Sequence, residues 1–436
     1  MANLFLSFLG TSNYLPCTYS LGDLEGKNVR FVQEALARIF CKQWKGDDRI
    51  IVFTTDDAIT KNWCDGGLKD EEGNPYEGLE TRLSSLGLQC EIRKVMIPEG
   101  HTAEDIWKIF NQVCAQVNES DTVFFDITHA FRSIPMLAMV ILQYLKVLKG
   151  IQVSGIYYGA FEVLGPLGKV KNMPLEQRRA PIVDLTDFVY LADWATAVDR
   201  FLAAGDGRAI ADLVEKKAIP VIKTATTTKE RKGAMAVRDL AKNLVNFTQV
   251  MSTCRGLQIT KAATTLTKNI DKCETVDLIP PLVLLLDKLK ESVKGFQEHD
   301  ELTNGLQAAR WCLEHNLIQQ AYTILQETVV SLVLCQVEKL PVSGHPLEHN
   351  KREIVTGASS LMAQKKSLAE ARQEDGTEEL WPLVWDFLGE RGVGRQLDRM
   401  RNRRNDLNHA GINDHPADFS SFKKDLKEML EWFENL

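Results

Sequence analysis

Leu4-Phe5-Leu6-Ser7-Phe8-Leu9 runs directly into Gly10-Thr11-Ser12-Asn13-Tyr14. An apolar run that stops at glycine and hydroxylated residues reads as a strand ending in a turn. The same grammar recurs through residues 1–185. Ile50–Thr54, Gln89–Ile97, Thr122–Ile127, Gln152–Tyr158 and Ile182–Leu185 are further strand candidates, with helical stretches near 28–43, 75–86, 103–117 and 133–148 between them. In the first of these helices Val29, Val32, Leu36, Ile39 and Phe40 fall on one face. Strands alternating with helices imply crossover units and a parallel sheet covered on both faces. Residues 1–185 are therefore expected to form a Rossmann-like α/β domain.

After residue 186 helical periodicity takes over, in Phe188–Ala203, Ala234–Thr253, Pro280–Lys294, Thr303–Glu314, Leu317–Gln336 and Phe419–Leu436. Residues 223–232 and 363–378 are polar connections. The expected organisation is a helical connector over 186–233 and an all-α domain over 234–436.

The bulk numbers narrow the class. A chain of 436 residues with net charge −7 is no general polyanion binder, so any nucleic-acid site must be a local basic patch. Its nine cysteines are scattered and form no CxxC pair, which fits reduced thiols in a cytoplasm better than a disulfide or zinc framework. The N-terminus lacks the basic flank of a signal peptide, and no run approaches the ~20 apolar residues of a membrane span. A cytoplasmic protein with no membrane partner is expected.

Ligands of open α/β sheets bind beyond the carboxyl ends of the strands. There the sequence places Gly10, Thr11, Ser12, Asn13 and Tyr14; Thr54; Thr128, His129, Ala130 and Arg132; and Tyr158, Gly159 and Phe161. Amides and hydroxyls suit phosphate oxygens, Arg132 suits a phosphate, and Tyr14, Tyr158 or Phe161 can stack a base. A phosphorylated, base-bearing ligand is expected. The glycine spacing is neither GxGxxG nor a Walker A loop, which disfavours dinucleotide binding and NTP hydrolysis.

A second constellation lies near the C-terminus, in Arg399-Met400-Arg401-Asn402-Arg403-Arg404-Asn405-Asp406-Leu407-Asn408-His409. A cation can hold a phosphate and an imidazole can move the proton of a ribose 2′-hydroxyl, so Arg404, Asn405 and His409 suit metal-free RNA cutting. Arg399, Asn402, Arg403 and Asn408 are candidate RNA contacts. Arg404 interrupts an apolar stripe of Leu397, Met400 and Leu407, which calls for an acidic partner such as a phosphate. On an ideal helix Arg404 and His409 point apart. The arginine stem reaches round, the helix is distorted, or the two act from opposite subunits.

Two decoys are set aside. Arg310 and His315 repeat the spacing, but with Trp311 in the polar position they read as structural. His345 and His349 are an i, i+4 pair separated by Pro346, which disfavours a helix, so no metal site is expected there.

Asp126-Ile127-Thr128-His129-Ala130 resembles the DxTHG signature of type III CRISPR-associated proteins, and Gly10–Tyr14 and Tyr157–Glu162 resemble neighbouring motifs of their CARF sensor domain. Arg404-Asn405-x3-His409 is similar to the signature of HEPN ribonucleases. Ala130 departs from the glycine of the pattern. The resemblance implies a homodimer, or a higher oligomer built from dimers, that binds cyclic tetra-adenylate across its axis, with cyclic hexa-adenylate read by some relatives. It further implies no cofactor, and a composite site that cuts single-stranded RNA once the messenger is bound. The alternatives are a sensing regulator that does not cut RNA and a ring nuclease that degrades its own messenger.

Overall fold

The computed structural model describes residues 1–436 except 71, 130–133, 274–281, 342–344, 371–377 and 436. The chain divides into two compact units, residues 1–190 and 191–436.

The first unit holds strands β1 Asn3–Leu9, β2 Cys17–Leu21, β3 Leu24–Val29, β4 Lys45–Thr54, β5 Gln89–Met96, β6 Thr122–Asp126, β7 Gln152–Gly159 and β8 Arg179–Asp184. They form one sheet in the order β3-β2-β8-β7-β6-β1-β4-β5. The run β7-β6-β1-β4-β5 is parallel throughout. Its helices are α1 Val32–Phe40, α2 Asp56–Ala58, α3 Leu79–Ser84, α4 Ala103–Gln116, α5 Ile134–Lys149 and α6 Leu167–Lys171. β1 is nearly uniformly apolar because both its faces are covered. Phe5 and Leu9 enter a core with Val32, Leu36, Leu79 and Leu83 of α1 and α3. Leu4, Leu6 and Phe8 enter another with Ile109, Val113, Ile141 and Leu145 of α4 and α5. After β1 the chain forms the β2–β3 hairpin at the far edge of the sheet, then lays β4 and β5 on one side of β1 and β6 on the other. The switch point of the sheet thus lies at the carboxyl ends of β1 and β6.

Three expectations need correction. The sheet is mixed, since β7 and β8 pair antiparallel. The antiparallel hairpin of β2 and β3 adds two strands beyond those expected. Its signal was present: Gly22-Asp23 separates two short runs, and Gly22 takes φ +56°, as a tight hairpin requires. Finally, Val29 closes β3, and the first helix begins only at Val32. The helices expected over 133–148 and from Pro280 begin on residues outside those described.

The second unit is helical. The chain enters it within α7 Thr186–Ala204 and continues through α8 Arg208–Thr224, α9 Thr228–Ser252, α10 Gly256–Cys273, α11 Leu282–Ser292, α12 Glu301–Glu314, α13 Ile318–Val337, α14 His349–Ala363, α15 Leu380–Glu390, α16 Val393–Asn408 and α17 Phe419–Glu434. α13 is apolar around most of its circumference and is the central helix, packed on α12, α14, α15, α16 and α17. Side-chain caps mark several starts: Thr227 with Glu230 forms a capping box on α9, and Asp418 accepts the Ser420 amide of α17. No described helix is long and apolar enough to cross a membrane.

Candidate functional site

At the sheet's switch point a buried polar network ties the strand ends together. Ser7 of β1 donates its hydroxyl to Asp126 of β6 at 2.6 Å. Thr128 donates both its amide, at 3.0 Å, and its hydroxyl, at 2.5 Å, to the other oxygen of that carboxylate. The same hydroxyl accepts the Gly159 amide of β7 at 2.8 Å. Burial raises the Asp126 carboxyl to about 6, against the lowering pull of Ser7 and Thr128. Thr128 therefore braces the ends of β6 and β7, its hydroxyl committed to that task, and Asp126 ties in β1 through Ser7. Asp184 and Thr186 repeat the device, with Thr186 accepting the Ile156 amide at 3.0 Å.

The first loop closes over this network. The Tyr14 and His129 rings lie 4.1 Å apart, and Phe31 meets the other side of Tyr14 at 5.8 Å. Burial raises the Tyr14 hydroxyl, while backbone hydrogen bonds from Ser12 and Gly10 to its oxygen oppose the rise. A Cβ at Gly10 would fall 2.5 Å from that oxygen, so a larger residue there would displace the Tyr14 ring. Burial depresses the His129 imidazole to about 3, and its Nε2 has no partner among the described residues. His129 is thus neutral at physiological pH.

The remaining candidates separate by exposure. Thr11 and Ser12 are exposed, Asn13, Tyr158 and Phe161 are half-buried, and Thr54 and Gly159 are buried. Tyr158 donates to Glu162 at 2.6 Å, and burial together with that carboxylate pushes its hydroxyl to about 12. A Cβ at Gly159 would lie 2.6 Å from Val32 Cγ2, so this glycine serves packing. Ala130 and Arg132 lie outside the described residues.

Two residues beneath the loop carry no motif and were missed by sequence reading: Arg30 and Asn62. Both are buried. Asn62 donates to the Gly10 and Ser12 carbonyls, each at 2.9 Å, and accepts from Arg30 at 2.9 Å. Arg30 also donates to the Tyr14 carbonyl at 3.1 Å.

In the second unit α16 divides its candidate residues between two faces. Arg399, Asn402, Arg403, Asn405 and His409 line a cavity of about 930 Å³. Arg404 and Asn408, one turn apart, face α13 instead. Arg404 lies 3.8 Å from Glu327, and Asn408 accepts from Gln319 at 2.8 Å. The acidic partner expected for Arg404 is thus supplied by the chain itself. Its Nε is buried and unpartnered among the described residues. A single chain does not bring Arg404 and His409 onto one face. His409 is exposed and follows the last helical residue. Ala410 and Gly411 then both take positive φ, and the Gly411 amide returns to the Asp406 carbonyl at 2.8 Å.

The arginine cluster is less free than its sequence implies. Arg399 and Arg403 share Asp425, Arg399 also meets Glu428, and Arg401 pairs with Asp398. Asn402 donates to Asp398. The decoys sit elsewhere. His315 is buried, stacks on Trp311 at 3.8 Å and bonds its carbonyl. His345 bonds Ser331, while His349 meets Glu353 on the surface.

Comparison with known proteins places this architecture. Residues 4–162 match the family model of the CRISPR system endoribonuclease Csx1, CARF domain. Residues 190–320 match that of the CRISPR-associated protein MJ1674, second domain. The N-terminal unit is thus a CARF domain of the kind that CRISPR-associated proteins carry, followed here by a helical region. CRISPR-associated protein MJ1674 of Methanocaldococcus jannaschii is 23% identical over 357 residues, covering 80% of this chain and 46% of that protein. The chain therefore spans about half the length of that relative. Enterococcus italicus Csm6, solved bound to cyclic hexa-2′-fluoro-hexa-dAMP, superimposes with a TM-score of 0.43 at 10% identity, covering 100% of this chain and 93% of that one. That score is below the level at which a shared fold follows.

Proposed function

We propose that this protein is a cyclic-oligoadenylate-activated, metal-independent endoribonuclease that cuts single-stranded RNA in type III CRISPR defence. The observation that carries the reading is the CARF match over residues 4–162, on a sheet whose switch point gathers the Gly10–Tyr14 and Thr128–His129 loops. Cyclic tetra-adenylate is the proposed activator. The exposed Thr11 and Ser12 would meet its phosphates, with Arg132, and the 1–185 sensor would pass its state through the 186–233 connector to a HEPN domain over 234–436.

In that domain His409 would take the proton of the ribose 2′-hydroxyl or give one to the leaving 5′-oxygen. The 2′-oxygen attacks phosphorus and the bond to the 5′-oxygen breaks, leaving a 2′,3′-cyclic phosphate and a 5′-hydroxyl. Arg404 would stabilise the charge gathering on the phosphoryl oxygens, and Asn405 would orient the imidazole or the phosphate. Because Arg404 and His409 diverge within one chain, the proposal pairs two chains so that each completes the other's site. An exposed apolar stripe on α5, formed by Met136, Val140, Tyr144 and Val147, supports pairing of the sensor units.

The test is cleavage of a fluorogenic single-stranded RNA in EDTA, with and without cyclic tetra-adenylate. Cutting that requires the messenger and vanishes in His409→Ala upholds the proposal. No cutting with either the tetra- or the hexa-adenylate sinks it. One observation favours the second reading, a sensing regulator that does not cut: Arg404 is engaged by Glu327 and does not line the His409 cavity.

A further inference from the structure

We propose that Asn62, backed by Arg30, is the positioning residue that makes the Gly10–Tyr14 loop an anion receptor. The inference rests on the sensor reading above and deepens it. In a trans peptide the carbonyl and the following amide point in opposite directions. Asn62 draws the Gly10 and Ser12 carbonyls inward, which turns the Thr11 and Asn13 amides outward. Arg30 holds the Tyr14 carbonyl in the same way. The Thr11 and Asn13 amides make no backbone hydrogen bond among the described residues, and two outward amides on either side of Ser12 in an exposed turn suit a phosphate diester oxygen.

The support under Asn62 is rigid. It sits in the π-turn Ile59–Trp63 that follows α2. A Cβ at Gly67 would fall 2.0 Å from the Thr60 carbonyl oxygen, and one at Gly78 would fall 2.1 Å from that of Trp63. Two neighbouring segments therefore press backbone to backbone on this turn. Arg30 is clamped in turn by the Tyr76 ring, 4.4 Å away, and by the Glu77 carbonyl. Asn62 is wholly buried, so it touches no ligand itself and acts through the loop.

Two variants test this in the full chain. Asn62→Ala removes all three hydrogen bonds. Asn62→Asp keeps the volume and the acceptor for Arg30 but loses both donations to the loop carbonyls. The expected result is faster amide exchange over residues 10–15 in both variants, with β1 and β4 still protected. Affinity for cyclic tetra-adenylate should fall about tenfold or more. RNA cutting at saturating messenger should stay at the wild-type rate. A role confined to filling space or pairing Arg30 would be rescued by aspartate, and that rescue overturns the proposal. Unchanged loop exchange in both variants overturns it as well. If the wild-type protein binds no cyclic oligoadenylate, the sensor reading falls, and the exchange data alone still decide whether Asn62 holds the loop.

Discussion

The Ser7 hydroxyl lies 2.6 Å from the Asp126 carboxylate, bridging the parallel strands β1 and β6 at the switch point of the strand order. The carboxyl is wholly buried, and burial raises it from 3.8 to about 6 in the folded chain. A carboxyl raised on folding binds its proton more tightly when folded. Its contribution to stability is therefore full below about pH 4 and is lost as pH rises through 6, a loss of roughly 3 kcal/mol. Asp126→Asn removes that titration. Urea unfolding from pH 4 to 8 should show the variant gaining on wild type as pH rises. Parallel profiles would refute the assignment.

The proposed cutting chemistry divides binding from turnover. His409→Ala should lower messenger-dependent cleavage about 10²–10⁴-fold, and Arg404→Ala about 10²–10³-fold. Neither should alter the affinity for cyclic tetra-adenylate, measured by titration calorimetry. Mixing the two variants offers a sharper check. If each chain completes the other's site, a heterodimer recovers part of the activity, whereas mixtures stay dead if each chain carries a whole site.

Asp425 is the anchor of the arginine face. It is buried and holds both Arg399 and Arg403. Asp425→Asn should destabilise the chain by about 2–3 kcal/mol, because two guanidinium groups lose their counter-charge. Glu327→Gln should cost less than about 1 kcal/mol, since that carboxylate is half exposed and solvent screens it. Denaturant midpoints will order the two, and an equal or reversed order contradicts the pairing scheme.

The α5 stripe gives a prediction about assembly. Met136 is 76% exposed and Val147 90% exposed, and Tyr144 and Val140 lie between them on the same side. Val140→Asp with Tyr144→Asp should convert a dimer to a monomer by light scattering, with the fold retained by circular dichroism. A monomeric wild-type chain would remove the composite-site model.

Much of the N-terminal α/β unit was legible in the chain. The uniformly apolar β1 announced a strand covered on both faces, and its glycine-ended turn marked the carboxyl end of the strand. The β2–β3 hairpin escaped because its strands are short and only partly buried, so their alternation is weak. Arg30 and Asn62 escaped for a different reason: each is an isolated polar residue whose partner carbonyls are distant in sequence. Asn62 lies 52 positions from Gly10, and no local pattern can encode such a contact.

In α16 the sequence alone determined which residues share the helix, and that Arg404 needed an acidic partner at an otherwise apolar stripe. Helical periodicity fixes both. Only the tertiary structure decided that the partner is Glu327 of α13, that Asp425 and Glu428 of α17 spend much of the arginine charge, and that His409 opens on a different face from Arg404. The spacing of a helix sets the angle between two side chains, but which neighbour occupies that direction is settled by how the whole bundle packs.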